Sequence, residues 1–350
     1  MKLLIVTQKV DKNDPILGFF HRWLEEFAKH YESITVICLE SGQYSLPRNI
    51  KVLSLGKEEG LNLPGRQIQR FKYIFRFYKY AWKERRNYDA VFVHMNQEYV
   101  ILGGILWRTL GKKVYMWRNH HAGSFFTNIA AFFCDKVFCT SKYSYSAKYR
   151  KTLLMPVGVD TDLFVRQQNV KRMPNSILFL GRIAPAKRPD LLIKALVEIG
   201  KQNIEFKASF YGDTLVADQK YCQSLKVTVR DASLSNIITF YPGVPNEKTV
   251  EIYNNHEIFV NLSSSGMYDK TIFEAMACET LVLASNKNLH GLIDEQLIFE
   301  EGNKEELVVK LTNLLLMKKE DKIALTSKLR MVVLNNHNLK LLIDKLKSIL

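Results

Sequence analysis

The chain lacks what a disulfide scaffold, a membrane span or a secreted precursor would need. Five cysteines occur in 350 residues, at Cys38, Cys134, Cys139, Cys222 and Cys278. They are odd in number and scattered, and none forms a C-x-x-C pair. That argues against a disulfide framework or zinc site and for a reducing cytosol. No stretch approaches the roughly 20 apolar residues of a membrane-spanning helix. The opening holds one short apolar run, Leu3-Leu4-Ile5-Val6, without a small-residue cleavage site, and reads as a first strand, not a signal peptide. Internal repeats, low-complexity tracts and recognisable nucleic-acid modules are also missing.

Acidic residues are scarce in one half. Residues 1–165 hold 25 Lys and Arg against 14 Asp and Glu, a net of +11, which leaves +4 of the total +15 for residues 166–350. A basic first half calls for an anionic partner: acidic lipid, nucleic acid or anionic substrate. Without a nucleic-acid module, nucleic acid is not the expected one.

What is present is an alternation. With 47% hydrophobic residues in 350, two α/β domains are the natural expectation. Strand patterns fall at 3–7, 34–39, 52–55, 90–94, 114–117 and 137–140, with helical patterns near 19–30, 66–86, 99–110 and 124–133. The second half repeats the theme with strands at 177–180, 206–211, 238–241, 258–262 and 281–284. Short β-branched runs between amphipathic helices predict parallel, doubly wound sheets. Asp162 to Pro174 has few apolar residues and no clear period, which places the junction there.

Two strand-to-helix junctions in the second half carry chemistry. After Ile258-Phe259-Val260-Asn261-Leu262, a polar loop from Ser263 to Gly266 leads into Asp269-Lys270-Thr271-Ile272-Phe273-Glu274-Ala275-Met276-Ala277. A helix start offers free N–H groups to phosphate, and Glu274, one turn in, can accept from two ribose hydroxyls. Upstream, Phe179-Leu180-Gly181-Arg182 through Lys187-Arg188-Pro189 supplies two cations at a similar junction. Tyr211-Gly212-Asp213 and Phe240-Tyr241-Pro242-Gly243-Val244 follow other strands. Each has a bland reading as well: a solvated helix start, or an ordinary strand and turn.

Together these segments resemble the donor site of the retaining glycosyltransferases of family 4, most strongly from Ser176 to Ser285. The resemblance implies an α/β, GT-B fold of two Rossmann-like domains facing a central cleft. Their limits would be 1–166 for the acceptor and 167–335 for the nucleotide sugar, with a helix at 336–350 crossing back to the first. It implies His120, Arg182 and Lys187 as catalytic. His120 belongs to Trp117-Arg118-Asn119-His120-His121, although a lone histidine is more often structural. The binding set would be Gly18, Gly212, Gly243, Val244, Gly266, Asp269, Lys270, Thr271 and Glu274. The donor would be a nucleoside-diphosphate sugar, with no separate cofactor and no metal. The acceptor would be a glycan or a polyprenyl-linked glycan, on the inner face of the plasma membrane.

Departures from the family pattern are specific. Gly266 stands where the family has the first of two glutamates, so Asp269 is left to make polar contacts to the donor sugar. Glu279 replaces a glycine and Leu281 a proline. Asp160-Thr161-Asp162 is a D-x-D triplet but reads as structural. Two rivals stay open: a sugar-nucleotide epimerase or hydrolase of the same fold, and an inactive sugar-nucleotide-binding protein.

The helix at 66–86 is the second unusual feature. Ile68, Phe71, Phe75, Tyr78 and Trp82 share one stripe and are expected to be core. Tyr73, Phe77 and Tyr80 lie about 160° away at the helical turn of about 100° per residue. With Arg66, Arg70, Arg76 and Lys83 around them, they are expected to face an anionic membrane. Packing of that second stripe against a neighbouring helix is the bland alternative.

Overall fold

The computed structural model describes residues 1–60 and 66–350, Arg66 by its backbone alone. The chain forms two compact units, residues 1–156 with 340–350, and residues 157–339.

The first unit contains β1 (Lys2–Val10), α1 (Phe19–Ala28), β2 (Ser33–Ser41), β3 (Ile50–Ser54), α2 (Arg66–Lys83), β4 (Ala90–His94), α3 (Gln97–Thr109), β5 (Lys113–Trp117), α4 (Phe125–Phe133), β6 (Lys136–Cys139) and β7 (Thr152–Leu154). Its strands form one parallel sheet in the order β3-β2-β1-β4-β5-β6-β7. The central strands are near-continuous apolar runs because both faces are covered. On β4, Val91 and Val93 share a core with Phe77 of α2, Trp107 of α3 and Ala130 of α4. Phe92 points the other way and meets Phe27 of α1, ring centroids 5.9 Å apart. So α2, α3 and α4 layer one face of the sheet and α1 the other.

The face that α2 buries is opposite to the one expected. Phe77 is fully buried, and Tyr73 and Tyr80 pack against the same core. Ile68, Phe71, Phe75, Tyr78 and Trp82 are between 41% and 71% exposed. The helix is aromatic on both sides, so periodicity separates two faces without saying which turns inward. Shape decides: Phe77 stacks on Tyr99 at 5.8 Å and meets Trp107 edge-on at 5.9 Å. The buried side is completed by Ala81, whose carbonyl accepts from the Tyr88 hydroxyl at 3.1 Å. Arg76, expected at a membrane rim, instead pairs with Glu59 at 2.6 Å.

The second unit contains β8 (Ser176–Leu180), α5 (Pro189–Lys201), β9 (Lys207–Tyr211), α6 (Gln219–Asp231), β10 (Ile238–Tyr241), α7 (Thr249–Asn255), β11 (Ile258–Asn261), α8 (Lys270–Ala277), β12 (Leu281–Ala284), α9 (Lys304–Leu316) and α10 (Lys319–Asn336). Its parallel sheet runs β10-β9-β8-β11-β12. The last helix, α11 (Leu339–Lys347), returns to the first unit from Lys340 onward. There the Tyr115 hydroxyl donates to Ile349 O at 3.0 Å and Lys345 Nζ to Leu154 O at 2.8 Å.

The first boundary falls ten residues before the expected 166/167. The apolar-poor stretch 162–174 is well anchored in the second unit: Phe164 enters its core, and Arg166 donates to Asn254 Oδ1 at 3.0 Å. The second boundary shifts from 335/336 to 339/340. His337 holds that end, its ring 4.5 Å from that of Phe273 and its Nδ1 accepting from Val157 N. Among the described residues, no helix is long and apolar enough to cross a membrane.

Candidate functional site

The ends of β8, β9 and β10 are stitched into a close-packed floor. Gly181 N donates to Tyr211 O at 3.0 Å and Gly212 N to Tyr241 O at 3.1 Å. A Cβ on Gly212 would lie 1.8 Å from Gly181 O, so no other residue fits there without moving a strand end. Asp213 ties the third strand end, its Oδ1 accepting from Gly243 N at 2.9 Å. Arg182, after the end of β8, is exposed, and Val244 is partly buried against the core of the unit.

Lys187 reaches from the turn after β8 to the start of α8. Its Nζ lies 2.6 Å from Asp269 Oδ2 and 3.0 Å from Ser263 Oγ, and Ser263 Oγ donates to the same carboxylate oxygen at 2.7 Å. Asp269 caps the helix, its Oδ1 accepting from Thr271 N at 3.2 Å and Thr271 Oγ1 at 2.8 Å. The Asp269 side chain is only 12% exposed. Burial alone would raise its carboxyl, but the adjoining Lys187 ammonium and the hydrogen bonds hold it well below the usual carboxylate range. Two expectations change in character here. Lys187 is already ion-paired, and the helix start is already capped at Thr271, so a phosphate arriving there competes with Asp269 for both.

Lys270 is partly buried, and burial brings its ammonium down to about 8 against the pull of Glu274 and Asp160. Glu274 is 2% exposed. Asn246 Nδ2 donates to its Oε1 at 3.1 Å and the Tyr253 hydroxyl to its Oε2 at 3.3 Å. Burial raises its carboxyl pKa while Lys270 and these donors draw it down. Gly266 is buried in the loop before α8.

The remaining residues lie in the first unit. Gly18 begins α1, and a Cβ there would sit 2.6 Å from Asp14 O, so its close approach is to its own loop. Lys9 fastens that loop through Asp14 at 3.0 Å. His120 follows β5, its ring stacked on His121 with centroids 4.5 Å apart. Ala122 N and Ala122 O both lie 3.0 Å from His120 Nδ1, so the ring is held against the backbone of its own turn. The structure therefore brings Lys187, Asp269, Thr271 and, one turn on, Glu274 together, and leaves Gly18 and His120 in the other unit. The sequence motifs include Ser263 and Asp213 without giving either a role, and Asn246 and Tyr253 lie outside them. Ser263 was signalled by its polar loop; the others lie far along the chain from the carboxylate or amide they serve.

Asp160 Oδ1 accepts from Asp162 N and Leu163 N at 3.1 and 3.3 Å, so its carboxylate closes a turn. No group of three or more His, Cys, Asp or Glu placed to hold a metal occurs among the described residues.

Residues 160–328 match the family described as glycosyl transferases group 1. The match takes in every second-unit residue of this site and just under half of the chain. D-inositol 3-phosphate glycosyltransferase from Geodermatophilus obscurus is 28% identical over 157 residues, 40% of this chain and 34% of that protein. Lipopolysaccharide core biosynthesis mannosyltransferase LpcC from Rhizobium leguminosarum bv. viciae is 32% identical over 111 residues, 32% of this chain and 31% of that protein. The chain thus spans about a third of the length of these curated relatives. Anabaena Alr3699/HepE, in a structure with UDP and glucose, has a TM-score of 0.77 at 16% identity, over 99% of this chain and 98% of its own. The fold is GT-B.

Proposed function

We propose that the protein is a retaining glycosyltransferase of family 4. It would move a sugar from a nucleoside-diphosphate sugar to a hydroxyl of a glycan or polyprenyl-linked acceptor. The observation that carries this reading is the cluster of Lys187, Ser263, Asp269 and Thr271 at the start of α8, with Glu274 one turn in, all inside the family match. Arg182 and Lys187 hold the diphosphate and stabilise the charge that grows on it as the glycosidic bond breaks. Glu274 accepts from the ribose, the backbone at Gly243 and Val244 holds the base, and Asp269 meets the donor sugar where the family's first glutamate is missing. His120 is the third residue we assign to catalysis.

In the step itself, the acceptor oxygen bonds to the anomeric carbon on the face the diphosphate leaves. The anomeric carbon–phosphate oxygen bond breaks with its electron pair going to the diphosphate. The acceptor proton passes to a leaving phosphate oxygen, so no carboxylate nucleophile takes part; the two cations, Arg182 and Lys187, are proposed to serve the diphosphate without a metal. The reaction is placed in the cytoplasm, at an anionic membrane surface reached through residues 66–86, in keeping with the +11 charge of residues 1–165.

One observation favours a second reading. Lys187, one of the two cations assigned to the diphosphate, is already ion-paired with Asp269 at 2.6 Å, which suits a protein that no longer turns over. Labelled sugar nucleotides, incubated with and without a lipid-linked acceptor, separate the readings. Transfer with the donor's anomeric configuration kept supports the proposal. Inversion overturns retention, free epimer favours an epimerase, and binding without any turnover favours the silent protein.

A further inference from the structure

The outer face of α2 leaves a row of large apolar side chains exposed. Ile68, Phe71, Phe75, Tyr78 and Trp82 follow steps of three and four residues, so they line one side of the helix, and all five are exposed. The same helical layer adds Ile105 of α3 and Phe132 of α4, also exposed. Its helices are joined side by side: the Tyr78 hydroxyl donates to Leu102 O at 2.8 Å, and Gly104 lies against Phe133. Soluble monomers rarely expose a contiguous apolar patch of this kind without a partner for it.

Charge says what the partner is. Residues 66–86 contain eight Lys and Arg and one acidic residue, Glu84, which is buried and paired with Lys51 at 2.7 Å. Lys72 and Arg76 are taken up by Glu59. Arg70, Lys79, Lys83 and Arg86 are exposed beside the stripe, and the Arg85 guanidinium sits 4.3 Å from the centre of the Trp82 ring. A second copy would set one basic rim against another, whereas anionic headgroups would neutralise both rims.

We propose that this face of the first unit docks on an anionic lipid bilayer. The helix α2 lies in the plane of the interface, with Ile68, Phe71 and Phe75 among the upper acyl chains. Tyr78 and Trp82 sit at headgroup level, where an aromatic body and a polar tip both find partners. The inference rests on the reading of a membrane-associated transferase. It is measured without donor or acceptor, so either can fail alone.

The test uses the full chain with vesicles of phosphatidylcholine alone or mixed with phosphatidylglycerol, some with brominated acyl chains. Trp82 is the exposed tryptophan of the four, Trp23, Trp107 and Trp117 being buried, so quenching reports on this helix. The protein should sediment with anionic vesicles at low salt, be released at high salt, and lose fluorescence to the brominated lipid. The combined substitution F71S/F75S/W82S should weaken binding at least tenfold, with the thermal midpoint unchanged and turnover of a water-soluble acceptor unaffected. Trp82→Phe should keep binding and abolish the quenching. The proposal is overturned by failure to bind anionic vesicles, by binding without quenching, or by quenching that survives Trp82→Phe. It also fails if light scattering finds a dimer that the serine variant dissolves.

Discussion

Lys187 is shared between two anions, the carboxylate present in the protein and the diphosphate expected in the complex. Removing it does two things at once. Lys187→Ala should leave Asp269 as a largely buried charge without its cation, and the thermal midpoint should fall. Adding Asp269→Asn should restore most of that loss, because asparagine still caps α8. It should not restore diphosphate binding, since a charge-assisted bond to phosphate contributes about 1.5–3 kcal/mol that no remaining group replaces. Thermal melts and nucleotide titrations of the two single variants and the double variant check this. Recovery of affinity along with stability would mean that Lys187 matters to folding alone.

Lys270 gives the same site a pH dependence. Its ammonium, lowered to about 8 by burial, loses its proton as pH rises past that value, while a bound diphosphate favours the charged form. Diphosphate affinity should therefore fall by about tenfold per pH unit at most above pH 8. Lys270→Met should bind more weakly below pH 8 and show a flat profile. The residue types at this site were legible in the sequence, because cations and carboxylates at strand-to-helix junctions are few. Their pairing was not: Lys187 and Asp269 are 82 positions apart, and only the parallel order β8-β11 brings their strand ends together.

At the level of elements, alternation and apolar run length located nearly every strand. A strand buried on both faces has to be apolar throughout, so it announces itself. The three-residue β7 did not, because it is too short to show a pattern and is only half-buried. The inward face of α2 was misread for another reason, since both of its faces are aromatic and the choice rests on the fit of Phe77 between Tyr99 and Trp107. A test of the site's floor follows from β9. Gly212→Ala puts a methyl 1.8 Å from Gly181 O, so the β8 and β9 ends must part. Overpacking of this kind costs about 1–3 kcal/mol. The variant should melt lower and bind nucleotide more weakly, by denaturation and titration. An unchanged melting curve would show that the strand ends are not held as described.

For the whole molecule, the two-domain plan was legible from the repeated alternation, while its boundaries were not. Residues 162–174 look like a linker in composition, yet Phe164 and Arg166 fasten them to the second unit through contacts distant in sequence. His337 belongs to the same seam and ties stability to pH. Burial lowers its imidazole to about 4. The unfolded chain takes up this proton near pH 6.5 and the native protein only near 4. Stability is therefore full above 6.5 and falls as pH drops through that window, by about 3 kcal/mol at most. Melts between pH 7 and 4.5 should show the decline, and His337→Gln should flatten it.

The central claim is that the second unit grips a nucleoside diphosphate through Arg182 and Lys187 without a metal. Calorimetric titration of a panel of nucleoside diphosphates, in EDTA, tests it most directly. The account predicts that at least one base binds with a stoichiometry near one, and that Arg182→Ala and Lys187→Ala each weaken it about tenfold or more. A panel in which no diphosphate binds, binding that requires added metal, or full affinity in both folded variants would contradict it.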